Sequence, residues 1–368
     1  MDVDNSGNAY AAGELLVTYK GEIPERPAES LDVPLEPEVE ETMPEVGTVL
    51  FEFPESARTQ DLQQVREELE EASAVESVEY NYLDTQFAAP NDPRFKEQWG
   101  LRKARFDDAW NRTRGRGAKI AIVDSGAATG HPDLKNRIAA QRDLRNEATP
   151  HSVKDYTGHG THIAGIAAAA TGNRKGVAGS CPRCGLMIAK VIGRDGSAKV
   201  SDVAEGIIWS TKNGADVINL SLGSTSKSET RKRAVRYATG RGVVVTAAAG
   251  NYDSRQTVYP AAYKGVLGVT ATGPRDGRVP RYSRGGWVDV AAPGVDILST
   301  VPSGYARKTG TSIASPHVAG LAGLLSSQGR GAQNIKRRIQ RTAVDLGSNG
   351  RDIYYGSGRI DAYAATKR

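Results

Sequence analysis

From residue 117 onward the chain alternates short apolar, β-rich runs with helix-like segments, and this alternation constrains the fold more than any other feature. In AKIAIVD (118–124) the apolar residues run without a break from Ile120 to Val123, as a strand buried on both faces requires. Helix-like THIAGIAAAA follows from 161, then LMIAKVI (186–192), then SDVAEGIIWSTKNG (201–214), with Ser201 placed to cap a helix and Gly214 to end it. DVINLSLG (216–223), a basic helix-like stretch over 228–239 and VVVTAAAG (243–250) continue the series. Strands alternating with helices build parallel βαβ units, so the pattern predicts an α/β domain with ligand groups at the carboxyl ends of its strands.

Residues 14–87 read differently, as a small α+β unit. Strand-like LLVTYK (15–20) and TVLFEFP (48–54) precede a helix pattern in which Leu62, Val65, Leu69 and Ala72 share one face, with Asp61 in the first turn where the helix dipole favours it. VESVEYNYL (75–83) predicts a last strand before a break at AAPNDP (88–93). The Glu-rich segment 24–44 holds Pro24, Pro27, Pro34, Pro37 and Pro44, and reads as a loop or a short broken helix.

Charge follows the same division. Residues 1–87 carry 22 acidic and 4 basic side chains, and the rest of the chain carries 21 and 44, so a net charge of +5 conceals −18 against +23. Such asymmetry points to a nucleic acid, a membrane surface, or a partner within the same chain. The basic residues are dispersed and aromatics make up 6% of the chain, which provides no stacking platform, so no specific nucleic-acid partner is expected. No apolar stretch approaches the ~18 residues of a membrane span, and no membrane association is expected. Met1 opens onto Asp2 and Asp4 rather than a basic and then apolar leader, and a signal peptide is expected to be missing from this chain. The only cysteines, Cys181 and Cys184 in CPRC, cannot complete a four-thiolate zinc site; a local disulfide in an oxidising compartment is the expectation, with two free thiols as the alternative.

Three Gly-flanked sequences concentrate reactive groups: IVDSG (122–126), GHGTHIAG (158–165) and GTSIASPHVAG (310–320). Taken singly, Asp124 could cap a turn, His159 could be a packed residue and Ser312 could cap a helix. Together they supply a carboxylate, an imidazole and a hydroxyl in the order Asp, His, Ser. A serine at a helix start also has the positive end of the helix dipole behind it, which favours a developing oxyanion. DSG is also the short signature of aspartic peptidases, but no second DSG or DTG exists to supply the paired carboxylate. His159 and His162 in HGTH lack the spacing and the glutamate base of a zinc peptidase.

The order and spacing of these motifs, together with SLG (221–223) and AAAGN (247–251), make the chain resemble the subtilisin-like serine proteases, above all their thermitase-like branch. The resemblance runs from about Ala88 to the C-terminus, and residues 14–87 are similar to the inhibitory pro-domain of secreted members. It implies an α/β, subtilisin-like three-layer domain with a mostly parallel central sheet over 88–368. Before it would stand a small α+β, ferredoxin-like pro-domain over 1–87 with an acidic, Pro-rich insertion. It implies a secreted, monomeric serine endopeptidase that acts on extended protein or peptide segments through an acyl-enzyme. Its own pro-domain would serve as intramolecular chaperone and inhibitor, and the chain would cut itself between Phe87 and Ala88.

Residue by residue, the resemblance implies Ser312 as nucleophile, His159 as general base and then acid, and Asp124 as the carboxylate that orients it. Asn251 would complete the oxyanion hole. Ser221, Leu222 and Gly223 would pair with the substrate backbone and wall the first pocket, with Val258 at the pocket base and Gly250 also binding substrate. Val258 stands where several members have Gly, which implies a smaller pocket, and Ile313 stands where Met is usual, which removes an oxidisable thioether. Calcium is the implied cofactor, held by Asp92, Asp133, the Asn173 side chain and the carbonyls of Ala170, Lys175 and Val177, all hard oxygen donors.

Overall fold

In the computed structural model the chain divides into two compact units, Met1–Gln86 and Phe87–Arg368. The structure describes residues 2–3, 9–31, 33, 35–54, 59–82, 90–145, 152–277, 279 and 281–367.

Among its described residues the N-terminal unit is a five-stranded sheet carrying one α-helix. Strands β1 (Asp2–Val3), β2 (Ala9–Tyr19), β3 (Glu38–Met43) and β4 (Thr48–Glu52) follow the order β1-β2-β4-β3, helix α1 (Thr59–Glu70) comes next, and β5 (Val75–Tyr82) pairs with β2. All the pairings are antiparallel. Leu62, Val65 and Leu69 of α1 close over Leu15, Val17, Val49, Phe51, Val78 and Tyr80, so the apolar helix face expected from the sequence is the one that is buried. The acidic segment departs from expectation. Part of it is the strand β3, mostly glutamate and threonine toward solvent apart from Val39 and Met43, paired with β4 and flanked by 3₁₀ turns at Ala28–Ser30 and Pro44–Val46. Pro37 and Pro44 bound the paired residues, and its glutamates protect an exposed sheet edge from further pairing, which is why a strand tolerates this composition.

The C-terminal unit opens with two short helices, α2 (Trp99–Lys103) and α3 (Phe106–Ala109). It is built on seven parallel strands: β6 (Lys119–Asp124), β7 (Ile138–Asp143), β8 (Gly185–Lys190), β9 (Val217–Leu220), β10 (Val244–Ala248), β11 (Val266–Thr272) and β12 (Val290–Pro293), in the order β12-β11-β10-β9-β6-β8-β7. Because successive side chains face opposite ways, Ile120, Ile122, Leu186 and Ile188 pack on α4 (His159–Ala168) and α7 (Thr311–Ser327). Ala121, Val123, Met187 and Ala189 pack on α5 (Val200–Lys212) and α6 (Glu229–Thr239). The result is three layers with a sheet apolar on both faces. The sequence misplaced one detail: α5 begins at Val200 after Lys199, and Ser201 lies within its first turn, where its hydroxyl donates to Asp202 at 2.9 Å. An antiparallel hairpin, β13 (Ile297–Val301) with β14 (Gly304–Lys308), leads into α7, and α8 (Ala332–Arg341) and α9 (Ala362–Thr366) end the unit.

Strand order reverses at β6. Its neighbours are β8 on one side and β9 on the other, and the chain then proceeds outward through β10, β11 and β12. A crevice forms at the carboxyl ends of strands at such a switch point. Asp124 ends β6, Ser221 follows β9 and Asn251 lies just beyond β10, so adjacent strands deliver all three to that end of the sheet.

Candidate active site

Asp124 is fully buried, and its Oδ1 accepts hydrogen bonds from the backbone N–H of Ser125 at 2.7 Å and from the His159 ring through Nδ1 at 2.8 Å. With Nδ1–H committed to the carboxylate, the neutral ring carries its free lone pair on Nε2. Burial disfavours the charged imidazole, but the charge and hydrogen bond of Asp124 outweigh it and hold the His159 pKa above the ordinary value of 6.5; Lys308 pulls the other way. Nearby His162 is neutral: burial drops its pKa to about 3, and its Nε2 donates to the carbonyls of Ile297 and Ala306. Each of these histidines is held through one ring nitrogen by protein acceptors, and among the described residues no group of three His, Cys, Asp or Glu gathers here to hold a metal.

A second buried carboxylate, Asp155, fixes the loop that carries His159. Its Oδ1 accepts from Ser125 Oγ (2.9 Å) and from the backbone N–H of Gly158 (2.9 Å), and its Oδ2 accepts from the N–H (2.8 Å) and hydroxyl (2.6 Å) of Thr161. Ser125 Oγ in turn accepts from the Gly160 N–H at 2.9 Å. The Gly158, Gly160 and Thr161 N–H groups belong to the first turn of α4 and the residue before it, where unpaired N–H groups need acceptors. Asp155 therefore caps α4 from outside its own helix.

Ser312 lies inside the first turn of α7 rather than before it, since the helix starts at Thr311 after Gly310. Pro316 consequently falls at a position whose missing N–H would have bonded the Ser312 carbonyl. Ser221 Oγ supplies that bond at 2.7 Å. Asn219 holds Ser221 through Nδ2 at 2.9 Å, and its Oδ1 accepts from Thr246 and Ser315, so a buried polar network underlies the serine turn. Asn251 Oδ1 accepts from the N–H and hydroxyl of Thr311 at 3.1 and 3.0 Å, which turns Nδ2 toward the serine. A Cβ at Gly310 would sit 3.1 Å from Ser312 Oγ and 3.5 Å from Asn251 Nδ2, so both groups border one small space that Gly310 leaves open.

Three of the expected substrate-binding residues, Gly223, Gly250 and Val258, meet. Val258 is buried, with Cγ1 3.2 Å from where a Cβ at Gly223 would stand and Cγ2 2.8 Å from the same point at Gly250. Its methyl groups thus fill space between the two glycines. Leu222, partly buried, packs against the α5/α6 core. Ile313 is buried beneath the serine.

Asp92 and Asp133 are also buried, and burial followed by the charge of Asp133 raises the Asp92 pKa. Their partners among the described residues are uncharged. Asp133 accepts from Asn173 Nδ2 (2.9 Å), Tyr305 Oη (2.9 Å) and the Val177 N–H (3.1 Å), and Asp92 accepts from the Gly172 N–H (2.7 Å). The Ala170 N–H donates to the Asp133 carbonyl and the Lys175 N–H to Asn173 Oδ1, so the 170–177 loop folds around the two carboxylates. Among the described residues no three His, Cys, Asp or Glu converge on one point, so any cation here takes two carboxylates and completes its shell with amide and carbonyl oxygens. Two neighbouring buried carboxylates without a basic partner fit that requirement.

Cys181 and Cys184 are joined, with an S–S distance of 2.04 Å, and are buried in the α4/α7 core. Phe87 and Ala88 lie outside the described residues. Asp155, Asn219 and Lys308 were not singled out by sequence; each is an isolated polar residue in an unremarkable local sequence, and the available signal was only that Asp155 lies just before GHGTH and Lys308 just before GTS.

Comparison with known proteins agrees with this architecture. Residues 115–358 match the subtilase family, and residues 2–81 match the fervidolysin N-terminal prodomain. The chain is 39% identical to the thermophilic serine proteinase of Bacillus sp. (strain AK1) over 99% of its length and 90% of that protein. It is 44% identical to thermitase of Thermoactinomyces vulgaris over 76% of this chain and 99% of thermitase. Among solved structures it is similar to a protease of Pseudoalteromonas arctica PAMC 21717, with a TM-score of 0.70 at 31% identity, covering 76% of this chain and 99% of the other.

Proposed function

The chain belongs to the subtilase family and is a serine endopeptidase with an N-terminal prodomain, and from that premise we propose that Asp124, His159 and Ser312 carry its reaction. The observation that carries the assignment is the 2.8 Å bond from His159 Nδ1 to buried Asp124, on the same edge of the sheet as the Ser312–Asn251 space. Ser312 Oγ attacks the scissile carbonyl carbon as its proton passes to His159 Nε2. Asn251 Nδ2 and the Ser312 N–H stabilise the resulting oxyanion, with the α7 dipole behind them. His159 then protonates the departing amine, the acyl group remains on Ser312, and water activated by the same ring hydrolyses it. Ser221–Gly223 pair with an extended substrate, and Val258 makes the first pocket smaller without closing it to an aromatic side chain.

Asp92, Asp133, Asn173 and the carbonyls of Ala170, Lys175 and Val177 would hold Ca²⁺, which supplies the positive charge that two buried carboxylates lack and ties the 170–177 loop to Asp92. The enzyme is exported and monomeric, matures by cutting between Phe87 and Ala88, and is inhibited by residues 1–87, which stay bound after that cut. The test is incubation with a serine-directed covalent inhibitor and peptide mapping. Stoichiometric labelling of Ser312, lost in His159→Ala, is the expected result; labelling elsewhere, or none, overturns the assignment.

A further inference from the structure

We propose that Lys308 is a specificity residue that favours a carboxylate on the leaving-group side of the scissile bond; this rests on the Asp124–His159–Ser312 reading. Lys308 ends β14, and its Nζ donates to the carbonyl of Gly158, the residue before His159, at 3.1 Å. The contact is fixed by the scaffold. Thr300 Oγ1 donates to the Thr161 carbonyl at 2.7 Å, Ser299 Oγ to the His162 carbonyl at 2.8 Å, and His162 Nε2 to the Ala306 carbonyl at 3.0 Å, so the β13–β14 hairpin is fastened along α4.

Among the described residues the charge on Lys308 has no acidic partner, whereas its neighbour's has two. Arg307 pairs with both Asp296 and Glu97, whereas among the described residues the hydrogen-bond partner of Lys308 is a neutral carbonyl. The charged groups bearing on His159 are Asp124, Asp155 and Lys308, and both carboxylates are already engaged with protein donors. A cation held beside a catalytic ring without a carboxylate of its own leaves its attraction available to a ligand.

Its side of the site follows from the chemistry. The general acid must reach the departing nitrogen, so the leaving-group half of the substrate lies beside His159, while Asn251 and Ser221–Gly223 attend the acyl half. Lys308 flanks His159. Pro302 Cδ stands 3.2 Å, and Lys308 Nζ 4.0 Å, from the point where a Cβ at Gly158 would be, which places an apolar ring and an ammonium side by side. That pairing suits the methylenes and carboxylate of Glu or Asp in the residue after the scissile bond. A free C-terminal carboxylate has the same chemistry.

The experiment compares kcat/KM for C-terminally amidated peptides that differ only in having Glu, Gln or Lys after the scissile bond, with a free-acid Gln peptide ending at that residue as a further arm. Wild type should prefer Glu over Lys by ~5-fold or more at low salt, with the preference shrinking as salt rises. Lys308→Met should bring the ratio to about one, Lys308→Glu should invert it, and Lys308→Arg should keep it. A gain confined to the free-acid peptide overturns side-chain recognition in favour of a terminal carboxylate. An equal Glu-to-Lys ratio in wild type, or a ratio unmoved by Lys308→Met and Lys308→Glu, overturns the proposal while leaving the nucleophile assignment intact; peptide hydrolysis that survives Ser312→Ala overturns both.

Discussion

At the scale of single residues, the bond between His159 and Asp124 sets how the reaction depends on pH. The base works only as neutral imidazole, and Asp124 raises the ring's pKa above 6.5 against the opposing effects of burial and Lys308. A raised folded-state pKa adds stability that is complete below the unfolded value and is lost as pH climbs through the folded one. Activity has the opposite sense, because kcat/KM should rise as the ring deprotonates, with an acid-limb midpoint above 6.5. Lys308→Met, which removes a cation from beside the ring, should move that midpoint higher. A pH–rate series on both proteins checks this, and a midpoint at or below 6.5 in wild type contradicts the Asp124 assignment. The legible residues were those embedded in Gly-flanked motifs, since glycines mark where backbone must approach closely and reactive side chains stand out between them. Asp155 was not legible because its role depends on donors from Ser125 and Thr161, which only the folded loop brings to one carboxylate.

At the scale of elements, α7 contains a proline that its neighbour repairs. Pro316 cannot donate to the Ser312 carbonyl, and Ser221 Oγ does so from across the site. Ser221→Ala in an inactive Ser312→Ala background should cost ~1–3 kcal/mol in urea unfolding, the penalty for a buried acceptor left unmade. Pro316→Ala restores a helical N–H to that carbonyl, so the same Ser221→Ala change should cost less when Pro316 is already Ala. Equal costs in both backgrounds would show that the repair is not what Ser221 provides. The 170–177 loop makes a second claim on this scale. Chelation of Ca²⁺ in the Ser312→Ala protein, where autolysis cannot interfere, should lower Tm, because a ligand bound only by the folded state stabilises it by mass action; an unchanged Tm argues against a cation at Asp92 and Asp133. Strands β6, β8, β9 and β10 were legible because burial on both faces makes them continuous apolar runs. Neither β3 nor β7 has that composition: EVEETM is an exposed edge and IAAQRD is mixed, so tertiary pairing decides both.

At the scale of the whole molecule, the division of charge invites a functional reading, since residues 1–87 carry −18 and the remainder +23. If the prodomain inhibits the mature enzyme after cleavage, long-range attraction should speed their association by ~10- to 1,000-fold at low ionic strength and fade as salt is added. Association rates of a separately expressed 1–87 fragment with mature enzyme across a salt series measure this, and a flat dependence would assign the acidic bias to solubility instead. The architecture was readable from the βαβ alternation, but the strand order that brings Asp124, Ser221 and Asn251 to one edge was not, because register and crossover follow from packing rather than from any local pattern. The central claim is that one hydroxyl, on Ser312, performs both maturation and proteolysis. Its most direct test is the 368-residue chain carrying Ser312→Ala: it should fold with an undiminished Tm, persist as a single 39.2 kDa species while wild type divides near residue 87, and hydrolyse no peptide above the residual rate that an oxyanion hole alone sustains. Processing and peptide hydrolysis at wild-type rates by that protein would contradict it.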